Sequence, residues 1–453
     1  VKKTLMDHTQ TDSIIKGSRG VWLLAWPSIL TNLLYATGSI VAIKVVGNFG
    51  PNEVAAAITG QRITFVIQAI LSGILAGTTA LVARNWGAKK FDEANLFVTN
   101  TIQLVTFISL VSSIVIYQFA DEISYFFALE GDALEYSSAF LRAVSPFYLF
   151  FGIGIGLITA LRAIGDVKTP LLIALIMNLS GIFLMVSLSN GYFGLYNFGY
   201  LGAAIGNGIS YLLGALILIM IWSLGYLKSS PTNFFIYDQN RTKQIFKIGY
   251  PSALEQIIFQ VGITAFLILI AYYGTAAYAA YGIGVQILSF SFVIGFSFSI
   301  AGATLVGQHL GAADLTQAKK SGWGAMRLSI LSMTIFGIII VIFSEQLSRF
   351  MIDDEEVIRL SVIFIWLMGS MQPLMAIEFS LGGALRGAGD TRSPLFITLT
   401  ALLFIRVTLA SILFYFSAPI EYIFASLLAD YLVKGFMYVW VFKSERWVHA
   451  IKD

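Results

Sequence analysis

Long apolar runs separated by short polar stretches recur along the chain from residue 21 to residue 443. Each run holds about 20 residues or more, enough to cross the ~30 Å hydrocarbon core of a bilayer as a helix. The pattern predicts twelve such helices, at 21–46, 54–83, 96–119, 134–161, 168–190, 201–227, 248–272, 276–306, 322–343, 357–384, 394–416 and 421–443. The polar stretches between them alternate in charge. One set is basic, around Arg84/Lys89/Lys90, Arg162/Lys168, Lys228–Lys247, Lys319/Lys320/Arg327 and Arg386/Arg392. The two ends of the chain share that character (Lys2, Lys3, Lys16, Arg19; Lys443, Arg446, Lys452). The other set carries Asp121/Glu122, Glu130/Asp132/Glu135 and Asp353–Glu356, with Arg349 and Arg359 as its basic residues. Lys and Arg concentrate on the cytoplasmic side of membrane proteins, so both termini are expected in the cytoplasm, and an even number of spans agrees in placing them on one side.

The pattern is written twice. Leu161–Pro170 reads LRAIGDVKTP, and Leu385–Pro394, 224 residues on, reads LRGAGDTRSP. The same offset relates Pro27-Ser28 to Pro251-Ser252, Gly50 to Gly274, Gly60 to Gly284, and Leu81-Val82 with Gly87-Ala88 to Leu305-Val306 with Gly311-Ala312. Six helices precede the second copy. Six is even, so the halves are parallel repeats related by an axis along the membrane normal. The expected layout is a cytoplasmic segment 1–20, a first lobe 21–227, a cytoplasmic linker 228–247, a second lobe 248–443 and a tail 444–453. In the linker, Arg241, Lys243 and Lys247 alternate with Ile245 and Phe246, as in an amphipathic turn on an anionic leaflet or in a solvated loop.

Composition agrees with this picture and narrows the chemistry. Apolar residues make up 57% of the 453, and charged residues 12%, about half the share of a soluble protein. Residues 1–20 lack the apolar core of a signal peptide, so insertion is expected to start with the first helix. There is no cysteine, which excludes disulfides, iron–sulfur clusters and thiolate metal sites. His8, His309 and His449 all fall in connections, and no His/Glu group has metal-ligand spacing. The string Gly152–Gly156 lies inside an apolar run and suits close helix packing. No nucleophile–base pair or phosphate loop is present, so no enzyme activity, cofactor, metal or nucleic-acid partner is expected. The expected partners are small-molecule substrates and membrane lipids, with the chain acting as a monomer.

A charge at the bilayer centre costs at least about 2.5–3.5 kcal/mol, so each one needs a reason. Glu255 opens the seventh helix beside Gln256, Phe259 and Gln260; it either couples an ion or, near the interface, pairs with a basic neighbour. Glu378 lies eight residues, about 12 Å of helix rise, from Arg386, too deep to snorkel out. Asp430 and Lys434 share one face of the last helix as an internal ion pair, and Arg406 is a natural counter-ion for one of the acids. Glu255, Glu378 and Asp430 are therefore the candidate ion-coupling residues. The first half holds cations instead: Lys44 and Arg62 near helix ends, and Arg142 deeper, with no carboxylate partner in its own helix. Asn32, Tyr35 and Asn178 in that half, with Gln256, Phe259, Gln260, Gln286 and Arg406 in the second, are the candidate substrate-cleft residues. Arg162/Asp166 and Arg386/Asp390 are expected to pair across their Gly turns as hinges or braces.

Two parallel six-helix repeats, a Pro in the first helix of each, the segments Leu81–Ala88 and Leu305–Ala312, and the duplicated LRxxGDxxxP motif together resemble the multidrug and toxic compound extrusion (MATE) transporters. The resemblance covers essentially the whole chain. It implies an all-α fold of two six-helix lobes around a central cleft. It also implies a prokaryotic inner-membrane antiporter that exports amphipathic, often cationic compounds against inward H⁺ or Na⁺. Two family acids are missing: Ala42 stands where many members carry a first-helix Asp, and Ile182 where an Asp follows the Asn matched by Asn178. Other members couple through carboxylates in the seventh and tenth helices, where Glu255 and Glu378 lie. Arg406 resembles a recurring family Arg, with Thr408 in place of the Pro expected after it. A lipid or lipid-linked-sugar flippase of the related superfamily is the alternative; it would line its cleft with several cations.

Overall fold

A computed structural model describes residues 17–127, 129–225 and 237–451, and every regular element among them is helical. Helices α1 (Gly17–Gly47), α2 (Pro51–Gly87) and α3 (Phe91–Gln118) realise the first three predicted spans. A short α4 (Ala120–Phe126) follows. The fourth span is α5 (Gly131–Val144), a 3₁₀ turn at Ser145–Phe147 and α6 (Tyr148–Ala163). Then come α7 (Lys168–Asn190), α8 (Leu201–Ser223), α9 (Gln239–Ala271), α10 (Thr275–Gly311) and α11 (Leu315–Ile342). A second short helix, α12 (Ser344–Met351), precedes α13 (Glu355–Ser370) and α14 (Gln372–Gly387), which bend by 53° at their junction. The eleventh span is α15 (Arg392–Thr398), a π-helical stretch Leu399–Val407 and α16 (Thr408–Tyr415); α17 (Ile420–Lys443) is the last. Among the described residues eleven helices are long and apolar enough to cross a membrane, and the bent α13–α14 pair makes twelve. The chain is an all-helical, multi-pass integral membrane protein.

The duplication is visible in the backbone. Short helices α4 and α12 begin one repeat offset apart, at Ala120 and Ser344. Lys89 and its repeat mate Ala313 both take positive φ, 58° and 56°, where α2 and α10 turn into the next helix. Gly60 and Gly284 face Phe140 and Phe364, themselves repeat mates; a Cβ on either glycine would overlap the ring opposite. That pairing lets α2 approach α5, and α10 approach α13, at the same place in each half.

Cα packing divides the chain into two compact units. The first holds Leu30–Gly249. The second holds Tyr250–Asp453 and the part of α1 up to Ile29. The boundaries therefore fall inside α1 and α9, beside Pro27 and Pro251, and differ from the division read from the sequence. The residues expected as linker or surface turn are, from Gln239 on, the first turns of α9; the expected linker's residues 228–236 lie outside the described ones. The cause is local. Asp238 Oδ1 accepts the N–H groups of Asn240 and Arg241 at 2.9 and 3.0 Å, which caps the helix. Arg241 also forks onto Glu93 of α3 at 3.0 and 3.1 Å, and Asn100 donates to the Asp238 carbonyl and to Thr242. Ile245 is fully buried against Gly77 of α2.

In the first unit, buried hydroxyls and amides tie neighbouring helices: Thr78 to Thr101 at 2.8 Å, Tyr148 to Thr64 at 3.1 Å and Trp222 to Asn95 at 2.8 Å. The second unit is centred on a row of rings, Phe266, Tyr281, Phe364 and Phe424, whose centroids stand 5.1–6.0 Å apart. Large apolar side chains such as Phe107, Ile114, Phe183, Leu331 and Ile338 point outward, as lipid-facing positions do.

Candidate functional site

Two features stand out, one in each unit. In the second, three helices present charges on matching faces. On α14, Glu378, Gly382 and Arg386 are spaced one turn apart; on α17, Asp430, Lys434 and Tyr438 are spaced the same way. Lys434 Nζ lies 3.0 Å from Glu378 and 3.6 Å from Asp430. Arg406, from the π-helical stretch, pairs with Asp430. Arg406, Asp430 and Lys434 are at most 4% exposed and Glu378 is partly buried, at 19% exposed, so the four charges form a largely buried, neutral quartet. Aromatic faces complete it: Arg406 lies over Phe266 and Tyr431 at 5.7 and 5.5 Å, and Lys434 over Tyr431 at 5.2 Å.

Two turns along α14, Arg386 donates to Glu255 of α9 at 2.6 and 3.3 Å, and Thr398 of α15 donates to the same carboxylate at 3.2 Å. Tyr438 brings its hydroxyl beside Gly382, 3.4 Å from where a Cβ would stand. Thr398 and Arg406 thus sit at the two ends of the π-helical stretch, one on each ionic group. The wider turn continues at Thr408, whose hydroxyl donates to the Leu403 carbonyl five residues back.

In the first unit, α1, α2, α5, α6, α7 and α8 enclose a cavity of about 460 Å³. Its polar lining includes Asn32, Gln61, Gln68, Asn178 and Asn207, and its rings include Tyr35, Tyr148 and Tyr211. Arg162 is the one ionised side chain among the described lining residues. Ala42 lines it too, at the position where the family resemblance expects an Asp.

The expected site residues distribute as follows. Asn32, Tyr35 and Asn178 share the first-unit cavity with Arg162, which was expected as a brace. Gln256, Phe259, Gln260 and Gln286 lie in the second unit, where Gln260 and Gln286 are exposed. Arg406 is a buried counter-ion of Asp430, and its charge is spent there. Glu378 and Asp430 meet in one cluster through Lys434, while Glu255 is no lone carboxylate but the partner of Arg386. Of the pairs expected across the Gly turns, Arg386 goes to Glu255, and both acids bind locally. Asp166 accepts the N–H groups of Lys168 and Thr169, both at 3.0 Å, and Asp390 accepts from Ser393 N and Oγ. These acids fasten the starts of α7 and α15, past turns that Gly165 and Gly389 make at φ 92° and 88°. Arg142, expected to be deep, is half-exposed and bonded at 2.6 Å to Asp121 on α4. Hydrogen bonds from Ser138 and Arg142 hold the Asp121 carboxyl below the usual carboxylate range. Lys434's bridging role, Thr398 and Tyr438 escaped the sequence reading, although the spacing of 430, 434 and 438 carried the signal.

An all-helical bundle with two repeated sets of six spans, a polar cavity in one unit and a buried charge quartet in the other is the design of a membrane transport protein. The MatE family model matches residues 27–186 and 251–412, and the chain belongs to that family. It is 26% identical over 428 residues to the probable multidrug resistance protein NorM of Thermotoga maritima, covering 94% of this chain and 92% of that one. It is 28% identical over 388 residues to a protein of the same name from Burkholderia pseudomallei, covering 82% and 81%. Among solved structures it shares the fold of the Vibrio cholerae MATE transporter VcmN in the bent form, with TM-score 0.87, 18% identity and 98% and 99% coverage. It likewise matches a MOP superfamily transporter from Pyrococcus furiosus, with TM-score 0.86, 16% identity and 97% and 98% coverage.

Proposed function

We propose that this protein is a proton-coupled efflux antiporter for amphipathic small molecules, working by alternating access of its two lobes. The relatives named as multidrug resistance proteins support the substrate breadth. The basic connections support a cytoplasmic-membrane location with both termini inside. The carrying observation for coupling is the buried quartet. Asp430 holds both Arg406 and Lys434, whereas Glu378 has Lys434 alone among these ion pairs. A proton arriving at Glu378 neutralises it while Lys434 keeps Asp430, so Glu378 is the exchangeable acid and Asp430 the fixed one. Sodium ion fits the cluster poorly. Lys434 and Arg406 already stand beside the oxygens of Glu378 and Asp430, which leaves a sodium ion little room for its several ligands, whereas a proton needs one oxygen. Glu255, engaged by Arg386 and Thr398, is a tie between α9, α14 and α15.

The ~460 Å³ cavity of the first unit is the substrate site in this reading, with Asn32, Tyr35 and Asn178 among its contacts. A pyrophosphate-holding flippase would need several cations there; the described lining supplies Arg162. The cycle runs on differential affinity: the proton and the substrate each favour one of two states. Everted membrane vesicles test the coupling site. Glu378→Gln is expected to abolish uptake driven by a pH gradient; undiminished uptake in that variant removes Glu378 from the mechanism.

A further inference from the structure

The lining of the first-unit cavity says which charge its ligand carries. No Asp or Glu is among the described residues that line it, and the one ionised group there is a guanidinium. Ala42 lines it at the position where the family resemblance expects an acid. What remains is a set of carboxamides and phenols between aromatic faces: Asn32, Asn178 and Asn207 with Tyr35, Tyr148 and Tyr211. An organic cation entering would leave water, meet no counter-charge among these groups and share the space with Arg162. Like charges brought together in a site cost affinity, and so exclude the wrong ligand as surely as opposite charges attract the right one. An acceptor-rich head can take the hydroxyls of Tyr35 and Tyr211 and meets the potential of Arg162, while the Asn178 and Asn207 amides already donate to the Ala174 carbonyl and to Tyr211.

We propose that this cavity selects aromatic amphiphiles that carry no positive charge, with acceptor-rich neutral or anionic heads, and discriminates against organic cations. The proposal rests on the reading of this cavity as the substrate site, and it narrows the substrate class expected from the family resemblance. The ring faces suit a flat ligand, and the volume suits one of a few fused rings.

The test uses fluorescein and a cationic rhodamine, which share the xanthene ring and differ in charge, titrated by fluorescence anisotropy against the full chain in nanodiscs. Fluorescein is expected to bind at least about tenfold more tightly. Ala42→Asp and Asn178→Asp each place a carboxylate in the lining and are expected to reverse that order; unchanged thermal unfolding certifies their fold. A wild-type protein that binds the rhodamine as tightly as fluorescein, or more tightly, overturns the charge inference and leaves the cavity as the site. Gly154 separates the other failure. It lines the cavity with nothing within 4 Å of where its Cβ would stand. Gly154→Leu is expected to weaken fluorescein binding about tenfold by filling that space. Undiminished binding in that variant puts the dye elsewhere and overturns the reading of the cavity itself.

Discussion

Lys434 Nζ lies 3.0 Å from a carboxylate oxygen of Glu378, joining α17 to α14 inside the second unit. Removing one partner of a buried pair strands the other. Lys434→Ala is expected to destabilise the fold by about 3–5 kcal/mol, more than a surface lysine would. Replacing both charges, in Glu378→Gln with Lys434→Gln, is expected to recover a large part of that loss. Thermal unfolding in detergent measures both; a double variant no more stable than Lys434→Ala contradicts the pairing.

Gly60 with Phe140 and Gly284 with Phe364 make the same contact in the two halves. Gly284→Ala is expected to cost about 1–3 kcal/mol through overpacking against the Phe364 ring. Phe364→Leu in the same chain relieves the clash, so the two changes couple favourably in a double-mutant cycle. Additive losses would show that the ring is not the obstacle. The repeat-matched cycle, Gly60→Ala with Phe140→Leu, is expected to behave alike.

Asp238 caps α9 outside the span. A backbone hydrogen bond from Arg241, and that residue's charge, hold its carboxyl below the ordinary value against a smaller opposing effect of burial. A depressed carboxyl contributes stability above its unfolded value, about 3.9, and loses it as pH falls through the folded one. Hydrogen exchange in the first turns of α9 is therefore expected to accelerate below about pH 4 relative to neighbouring helices. Asp238→Ala is expected to give faster exchange already at neutral pH, for a loss of about 0.5–2 kcal/mol. Exchange independent of both changes contradicts the cap.

The order of the spans and their duplication were legible because each is a one-dimensional signal: apolar runs, and identical residues such as Gly165 and Gly389 at one offset. Asp430–Lys434 was legible for the same reason, since four residues along a helix is a contact in itself. The pairing of Glu255 with Arg386 was not, because 131 residues separate them and only helix packing sets which faces meet. Arg142 was placed too deep because an apolar run does not reveal that a half-exposed Asp121, on a short helix outside it, reaches back to the arginine. The start of α9 was missed because its first turns, Gln239–Lys247, are polar and basic; their helicity comes from Asp238 and from Glu93 of another helix. The cavity is a further case. Six helices share its lining, with Gly154 leaving open space where a side chain would stand, which no residue announces alone.

The identity of the coupling ion separates a proton antiporter from a sodium antiporter. Proteoliposomes loaded with a fluorescent amphiphile and exposed first to a pH gradient alone, then to a sodium gradient alone, decide it. Export driven by the pH gradient, absent under sodium and lost in Glu378→Gln, is the predicted result. Export driven by the sodium gradient, or a pH-driven rate unchanged in Glu378→Gln, contradicts it.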